Sequence, residues 1–171
     1  STIIYNLISS KAVSEVIAEN GGIGVRSRVG HSYIKSLMAE SGAIFGGEHS
    51  GHFYFSNFWR ADSGMLAALY ALTELMATKN TLSELLKPFN RYVASGEINS
   101  KVKDAEKSIE LIRKKYCDKY LVDELDGLTI TADNWWFNLR PSNTEPLLRL
   151  NVEADTEKEM VKIRDTVLSL I

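Results

Sequence analysis

The sequence predicts two folding units in series: an α/β unit with a mainly parallel sheet over residues 1–90, followed by a small α+β unit with an antiparallel sheet over residues 91–171. Three observations predict this. The first half alternates strand, helix, strand, helix, strand, with near-continuous apolar strands, which is the grammar of a parallel layer covered on both faces. The second half sets a hairpin and an alternating strand between two amphipathic helices. Charge density also changes: residues 1–90 carry seven Lys/Arg and seven Asp/Glu, residues 91–171 thirteen and fifteen.

Taken in order, Thr2–Ile8 is an apolar strand with almost no lead-in, which reads as a strand interior to a longer protein. Ser9-Ser10 caps a helix with Val13, Val16 and Ile17 on one face, and Gly21-Gly22 ends it. A strand over Gly24–Val29 leads through Gly30-His31-Ser32 into a second helix, with Ile34, Leu37 and Met38 inward and Gly42 beyond its end. Ala43–Phe45 reads as a short strand that empties into the loop Gly46–His52. A long helix covers Asp62–Lys79, a capping box at Thr81–Glu84 opens a short one, and residues 88–98 read as a linker.

Ala105, Ile109, Ile112 and Tyr116 mark one face of the next helix. Strands over Leu128–Ala132 and Trp135–Leu139 flank a turn at Asp133-Asn134. Leu147–Ala154 puts Leu148, Leu150 and Val152 on one side and Arg149, Asn151 and Glu153 on the other, the alternation of a half-solvated strand. Thr156–Glu159 is a second capping box, and Met160, Ile163, Val167 and Ile171 line the final helix.

Composition narrows the function classes. The net charge of −2 leaves no electrostatic footprint for nucleic acid. No apolar run approaches the ~18 residues of a membrane span, and no secretory signal is visible. Cys117 is the only cysteine, which excludes an internal disulfide and a Cys-rich zinc site and fits a reducing, cytoplasmic setting.

Two loops carry the candidate chemistry. Arg140–Pro146 packs a guanidinium, two hydroxyls and an amide between two strands. Arg140 offers a planar fork for phosphate oxygens, Ser142, Asn143 and Thr144 add donors, and prolines stiffen both ends. The same residues would also suit a polar turn that bonds to itself. Gly46–His52 holds three glycines with Glu48, His49, Ser50 and His52. Its glycines allow close approach of a ligand, Glu48 can accept from two adjacent sugar hydroxyls, and Ser50 can donate or accept. A glycine-rich turn and a metal site built on Glu48, His49 and His52 are the competing readings. His31 falls at a helix N-terminus, which favours anions over an imidazolium. Both histidine loops leave the same end of the sheet, where ligands of open α/β sheets gather. Trp59, Trp135 and Trp136 fit core or interface packing better than sugar stacking, since adjacent strand positions point to opposite faces.

Together these motifs resemble the α-D-phosphohexomutases, the phosphomannomutase and phosphoglucomutase family. Gly47–His52 is similar to the family's sugar-binding loop, Arg140–Pro146 to its phosphate-binding loop, and Gly30–Lys35 to a third segment facing the cleft. Tyr54-Phe55 and Asp62-Ser63-Gly64-Met65 resemble the phosphomannomutase branch, with phosphoglucosamine mutase as the alternative. The resemblance implies most of the third of four domains and all of the fourth. It implies reversible transfer of phosphate between O1 and O6 of a hexose through a bisphosphorylated sugar. Glu48 and Ser50 would hold sugar hydroxyls; Arg140, Ser142, Asn143 and Thr144 would grip the phosphate that is not reacting. His31 and His52 would contact substrate or assist proton transfer, and His49 is assigned no role. The family's phosphoserine and magnesium loops have no counterpart among these residues. Mg2+ and a bisphosphorylated hexose activator are therefore expected of a parent enzyme that includes the N-terminal domains. No metal site is expected here, and the isolated chain is expected to recognise phosphosugar without turning it over.

Overall fold

The computed structural model describes residues 1–142 and 145–171 and divides into two compact units, Ser1–Arg91 and Tyr92–Ile171.

In the first unit, β1 (Thr2–Asn6) pairs in parallel with β2 (Ile23–Ser27) on one side and β3 (Phe45–Gly47) on the other. Two short strands, β4 (Phe53–Phe55) and β5 (Ala61–Asp62), extend the sheet antiparallel to give the order β2-β1-β3-β4-β5. The connections are α1 (Lys11–Glu19), capped by the Ser10 hydroxyl, and α2 (His31–Ser41), closed by Gly42 in the left-handed conformation. Ile34 and Met38 of α2 pack on Ile4, Ala43 and Tyr54 to form the core. The strand expected at Ala43–Phe45 sits two residues later, because Ala43 is buried as the chain enters the sheet while Phe45 takes the first pairing position beside Ile3.

The long helix begins later than expected. Asp62 belongs to β5, and α3 spans Gly64–Met76 behind an Ser63 cap. Met65, Leu69, Leu72 and Met76 of α3 are all exposed. The capping box opens α4 (Leu82–Leu86), and a 3-10 turn at Lys87–Phe89 follows. Arg91 then bridges back to α1, its two terminal nitrogens each 2.6 Å from a Glu19 oxygen and Nη1 3.0 Å from Glu15.

The second unit is a five-stranded antiparallel sheet. Its strands are β6 (Val93–Lys101), β7 (Leu121–Asp123), β8 (Leu128–Thr131), β9 (Trp135–Pro141) and β10 (Leu147–Ala154), in the order β6-β10-β9-β8-β7. Helices α5 (Ala105–Tyr116) and α6 (Glu157–Leu168) cover one face and bury Ile112, Phe137, Leu148, Leu150 and Val167. Residues 88–98 are thus no linker: most of that segment is an edge strand paired along β10. β10 is not half-solvated either. It is a central strand, and Asn151 and Glu153 are buried at 5% and 4% exposure. Their face forms a polar layer, bonded in part: Trp136 Nε1 donates to Glu153 at 2.8 Å and Asn138 Nδ2 to Thr129 at 3.0 Å, while Asn138 Oδ1 and Asn151 Nδ2 are buried without a partner among the described residues.

The box at Thr156 is only half formed. Thr156 Oγ1 accepts from Glu159 N, while the Glu159 carboxylate accepts from the side chain of Asn134. Trp135 and Trp136 are buried on opposite faces, Trp135 among Tyr116, Tyr120 and Phe137; Trp59 is 82% exposed.

Candidate functional site

The loop after β3 is held rather than free. Asn6, fully buried at the end of β1, accepts through Oδ1 from Ser9 Oγ at 2.8 Å and from His49 N at 3.3 Å. Glu48 N donates to His52 O, and Gly51 N donates back to Glu48 O. The glycines serve different ends: Gly51 has φ +84°, whereas Gly46 has ordinary dihedrals and is needed because a Cβ there would meet Ile34 at 2.8 Å, blocking α2 from the sheet.

Glu48, 6% exposed, points back into the protein. Its Oε1 accepts from Tyr54 Oη at 2.6 Å and its Oε2 from Gly30 N at 3.2 Å. The anion beside the start of α2 is therefore the protein's own carboxylate. Each carboxylate oxygen has a second lone pair, so this bonding leaves capacity for further donors. Ser50 is exposed at the tip of the turn. His31, the first residue of α2, lies with Nδ1 against Tyr54 Oη, and its ring meets that of His52 edge-on at 4.4 Å. His52 Nδ1 is 2.6 Å from Asp62 Oδ2, while Asp62 Oδ1 accepts from Phe53 N at 2.9 Å.

Partial burial pulls the Asp62 carboxyl upward, but its bonds to His52 and Phe53 N more than offset this and leave it below the ordinary aspartate value. A lowered folded-state value means that this clamp contributes stability that is fully present above the unfolded aspartate value, about 4. The contribution is lost as pH falls through the lowered value. Following the Asp62 carboxyl by 13C NMR is expected to give a midpoint below that of an unstructured aspartate; a midpoint at or above it would refute the clamp.

His31, His52 and Asp62 each offer a metal-ligand atom, all within 4.8 Å of one another. Two imidazoles and one carboxylate suit softer ions than Mg2+, which prefers oxygen ligands. Neither Glu48 nor His49, expected alongside His52 in the metal reading, belongs to this group.

The second loop follows β9. Arg140, 7% exposed, sits directly opposite Arg149 in the β9–β10 ladder. Like charges in that position repel, and Glu97 of β6 answers both: Oε2 accepts from Arg140 Nη2 at 2.9 Å, and Oε1 lies 3.3 Å from Arg149 Nη1. Arg149 Nη2 also donates to Ser142 Oγ at 3.3 Å. Both Nε atoms are buried without a partner among the described residues. Two guanidiniums therefore share one carboxylate, leaving one excess positive charge and unused donors beside the loop. Asn143 and Thr144, expected to grip phosphate, lie outside the described residues.

Sequence reasoning missed Arg149, Glu97 and Asn6, and placed Asp62 in a helix. A cleft of about 700 Å³ elsewhere in the first unit is lined mainly by Ile44, Phe45, Phe53, Phe55 and Tyr70, with Ser56 and Asn57 as neutral polar groups, and offers no cation for phosphate.

Residues 1–92 match the phosphoglucomutase/phosphomannomutase alpha/beta/alpha domain III, and residues 97–170 match the C-terminal domain of the same group. The chain belongs to the phosphoglucomutase/phosphomannomutase family. It is 50% identical over 169 residues to a phosphomannomutase of Methanocaldococcus jannaschii, covering 99% of this chain and 37% of that protein. A phosphomannomutase of Escherichia coli is 41% identical over 161 residues, covering 92% of this chain and 35% of that one. A solved phosphoglucomutase/phosphomannomutase family protein from Burkholderia thailandensis superposes with a TM-score of 0.85 at 28% identity, covering 99% of this chain and 37% of that one. The chain thus spans little more than a third of the length of the relatives it matches.

Proposed function

We propose that this chain supplies the sugar- and distal-phosphate-recognition part of a phosphomannomutase/phosphoglucomutase. The parent enzyme moves phosphate reversibly between O1 and O6 of a hexose phosphate through a bisphosphorylated sugar. The observation that carries this reading is the opposed Arg140–Arg149 pair with its single shared carboxylate. An anionic phosphate answers the excess positive charge there and accepts from the orphaned Nε–H groups or their neighbours. Ser142, Asn143 and Thr144 supply hydroxyl and amide donors for it in this reading. Glu48 and Ser50 take vicinal sugar hydroxyls, with Glu48 already aimed by Tyr54 and Gly30. His52 and His31 contact the sugar and accept or return the proton of its reacting hydroxyl.

The His31–His52–Asp62 group does not suit Mg2+, so the cation belongs to other parts of the parent enzyme. The exposed apolar residues of α3 support packing of further segments of that parent on this unit. Among the described residues no helix is long and apolar enough to cross a membrane, and a cytoplasmic setting goes with this reading.

Turnover of mannose 1-phosphate or glucose 1-phosphate by the full-length protein, primed with a hexose bisphosphate, tests the proposal; failure on both substrates refutes it. Replacing Arg140 with Ala removes a charge-assisted bond worth about 1.5–3 kcal/mol, and is expected to weaken phosphate binding by about 10- to 150-fold. An unchanged affinity would reduce the loop to a turn.

A further inference from the structure

Counting protons places a hydrogen on Nδ1 of both imidazoles. A phenol has one hydrogen to give, and that of Tyr54 goes to Glu48 Oε1 at 2.6 Å. Tyr54 Oη also lies against His31 Nδ1, and with its proton already committed it can only accept there. His31 therefore carries its hydrogen on Nδ1. The second histidine follows the same logic. Asp62 accepts from Phe53 N through Oδ1 and lies 2.6 Å from His52 Nδ1 through Oδ2. An ionised carboxylate has nothing to donate, so His52 Nδ1 carries the hydrogen.

The surroundings support both assignments. Burial, then the hydrogen bond to Glu48, push the Tyr54 phenol well above its ordinary range, so it stays protonated. Asp62 stays ionised for the reason given above. Among the described residues the titratable groups in contact with the two rings are Asp62, Tyr54 and the rings themselves, with Glu48 behind Tyr54.

We propose that Asp62 is a positioning residue that locks His52 in its Nδ1–H tautomer, as the Glu48–Tyr54 chain locks His31. In the neutral rings both Nε2 atoms are then left as proton acceptors for a sugar hydroxyl. The step transfers the hydroxyl hydrogen to Nε2, giving an imidazolium as the oxygen gains its lone pair. Asp62 stabilises that cation without touching the sugar. The inference rests on the proposed role of the histidines, and its test is built to fail separately from that role.

Long-range 1H–15N NMR of the imidazoles in this chain is expected to show protonated Nδ1 and bare Nε2 for His52 and His31. In Asp62→Asn, the new carbonyl keeps the bond from Phe53 N while the amide group faces Nδ1. His52 is expected to move to the Nε2–H tautomer, and His31 to stay unchanged. In the full-length enzyme the same substitution is expected to lower kcat about 10²- to 10⁴-fold, the range of general acid–base catalysis, with KM little altered. Nε2–H on His52 in the unsubstituted chain, or an unmoved tautomer in Asp62→Asn, overturns the inference. Full activity of Asp62→Asn despite an inverted tautomer overturns it too, provided His52→Ala is inactive. If His52→Ala retains full turnover, it is the role of the histidine that fails, whatever the tautomer.

Discussion

Replacing Gly127 with alanine is expected to destabilise the second unit by about 2–5 kcal/mol, from a left-handed backbone penalty of about 1–2 kcal/mol and overpacking of about 1–3 kcal/mol. Gly127, with φ +70°, lies at the turn into β8, and a Cβ there would sit 2.5 Å from Leu139 O, 2.6 Å from Arg140 Cβ and 2.8 Å from Arg140 Cα. Two of those three atoms are backbone, and they belong to a strand bonded on both sides, so nothing nearby can yield cheaply. The same contact sets the position of Arg140, so phosphate affinity is expected to fall together with stability. Urea unfolding of the two forms checks the first effect. A loss below about 1 kcal/mol would mean the turn relaxes, since surface substitutions away from such features stay within about ±0.5 kcal/mol.

Removing the shared carboxylate is the second large perturbation. In Glu97→Gln, the two opposed guanidiniums lose their counter-charge. Breaking a buried pair costs about 3–5 kcal/mol, but the Glu97 side chain is 27% exposed, so solvent screening reduces the expected loss to about 1–3 kcal/mol. An anion that binds between the arginines can replace the missing charge. Phosphate at about 100 times its Kd stabilises the folded state by about 2.7 kcal/mol, and its grip is expected to be tighter in the variant. The Tm difference between Glu97→Gln and the unsubstituted chain is therefore expected to shrink as phosphate is added. A difference that phosphate leaves unchanged would show that the arginine pair is purely structural.

The sequence reading succeeded where local chemistry decides the outcome. Ser10, Gly42 and the Thr81–Glu84 box end or begin helices through bonds to residues three or four away, so their signals are complete in a short window. The hairpin at Asp133-Asn134 and the helix face from Ala105 to Tyr116 were legible for the same reason. The strands that escaped notice were β6 and β7 at the edges of one sheet and β4 and β5 at the end of the other. An edge strand shows solvent one polar side, and β6 (VASGEINSK) carries no hydrophobic run to announce it.

The site divides along the same line. Glu48, His52, Arg140 and Ser142 belong to loops with a recognisable composition. Arg149 does not: its importance comes from the register that sets it across from Arg140, which is a pairing between strands. Asp62 reads as a helix N-terminus until β4 and β5 pair and bring it to His52. Glu97 lies in a segment taken for a linker.

Phosphate recognition by the arginine pair is tested most directly by titrating this chain with inorganic phosphate and following it by 1H–15N NMR. Saturable shifts at Arg140, Ser142 and Arg149, lost in Arg140→Ala, are the predicted result. Shifts absent from these residues, or unchanged by the substitution, would contradict it.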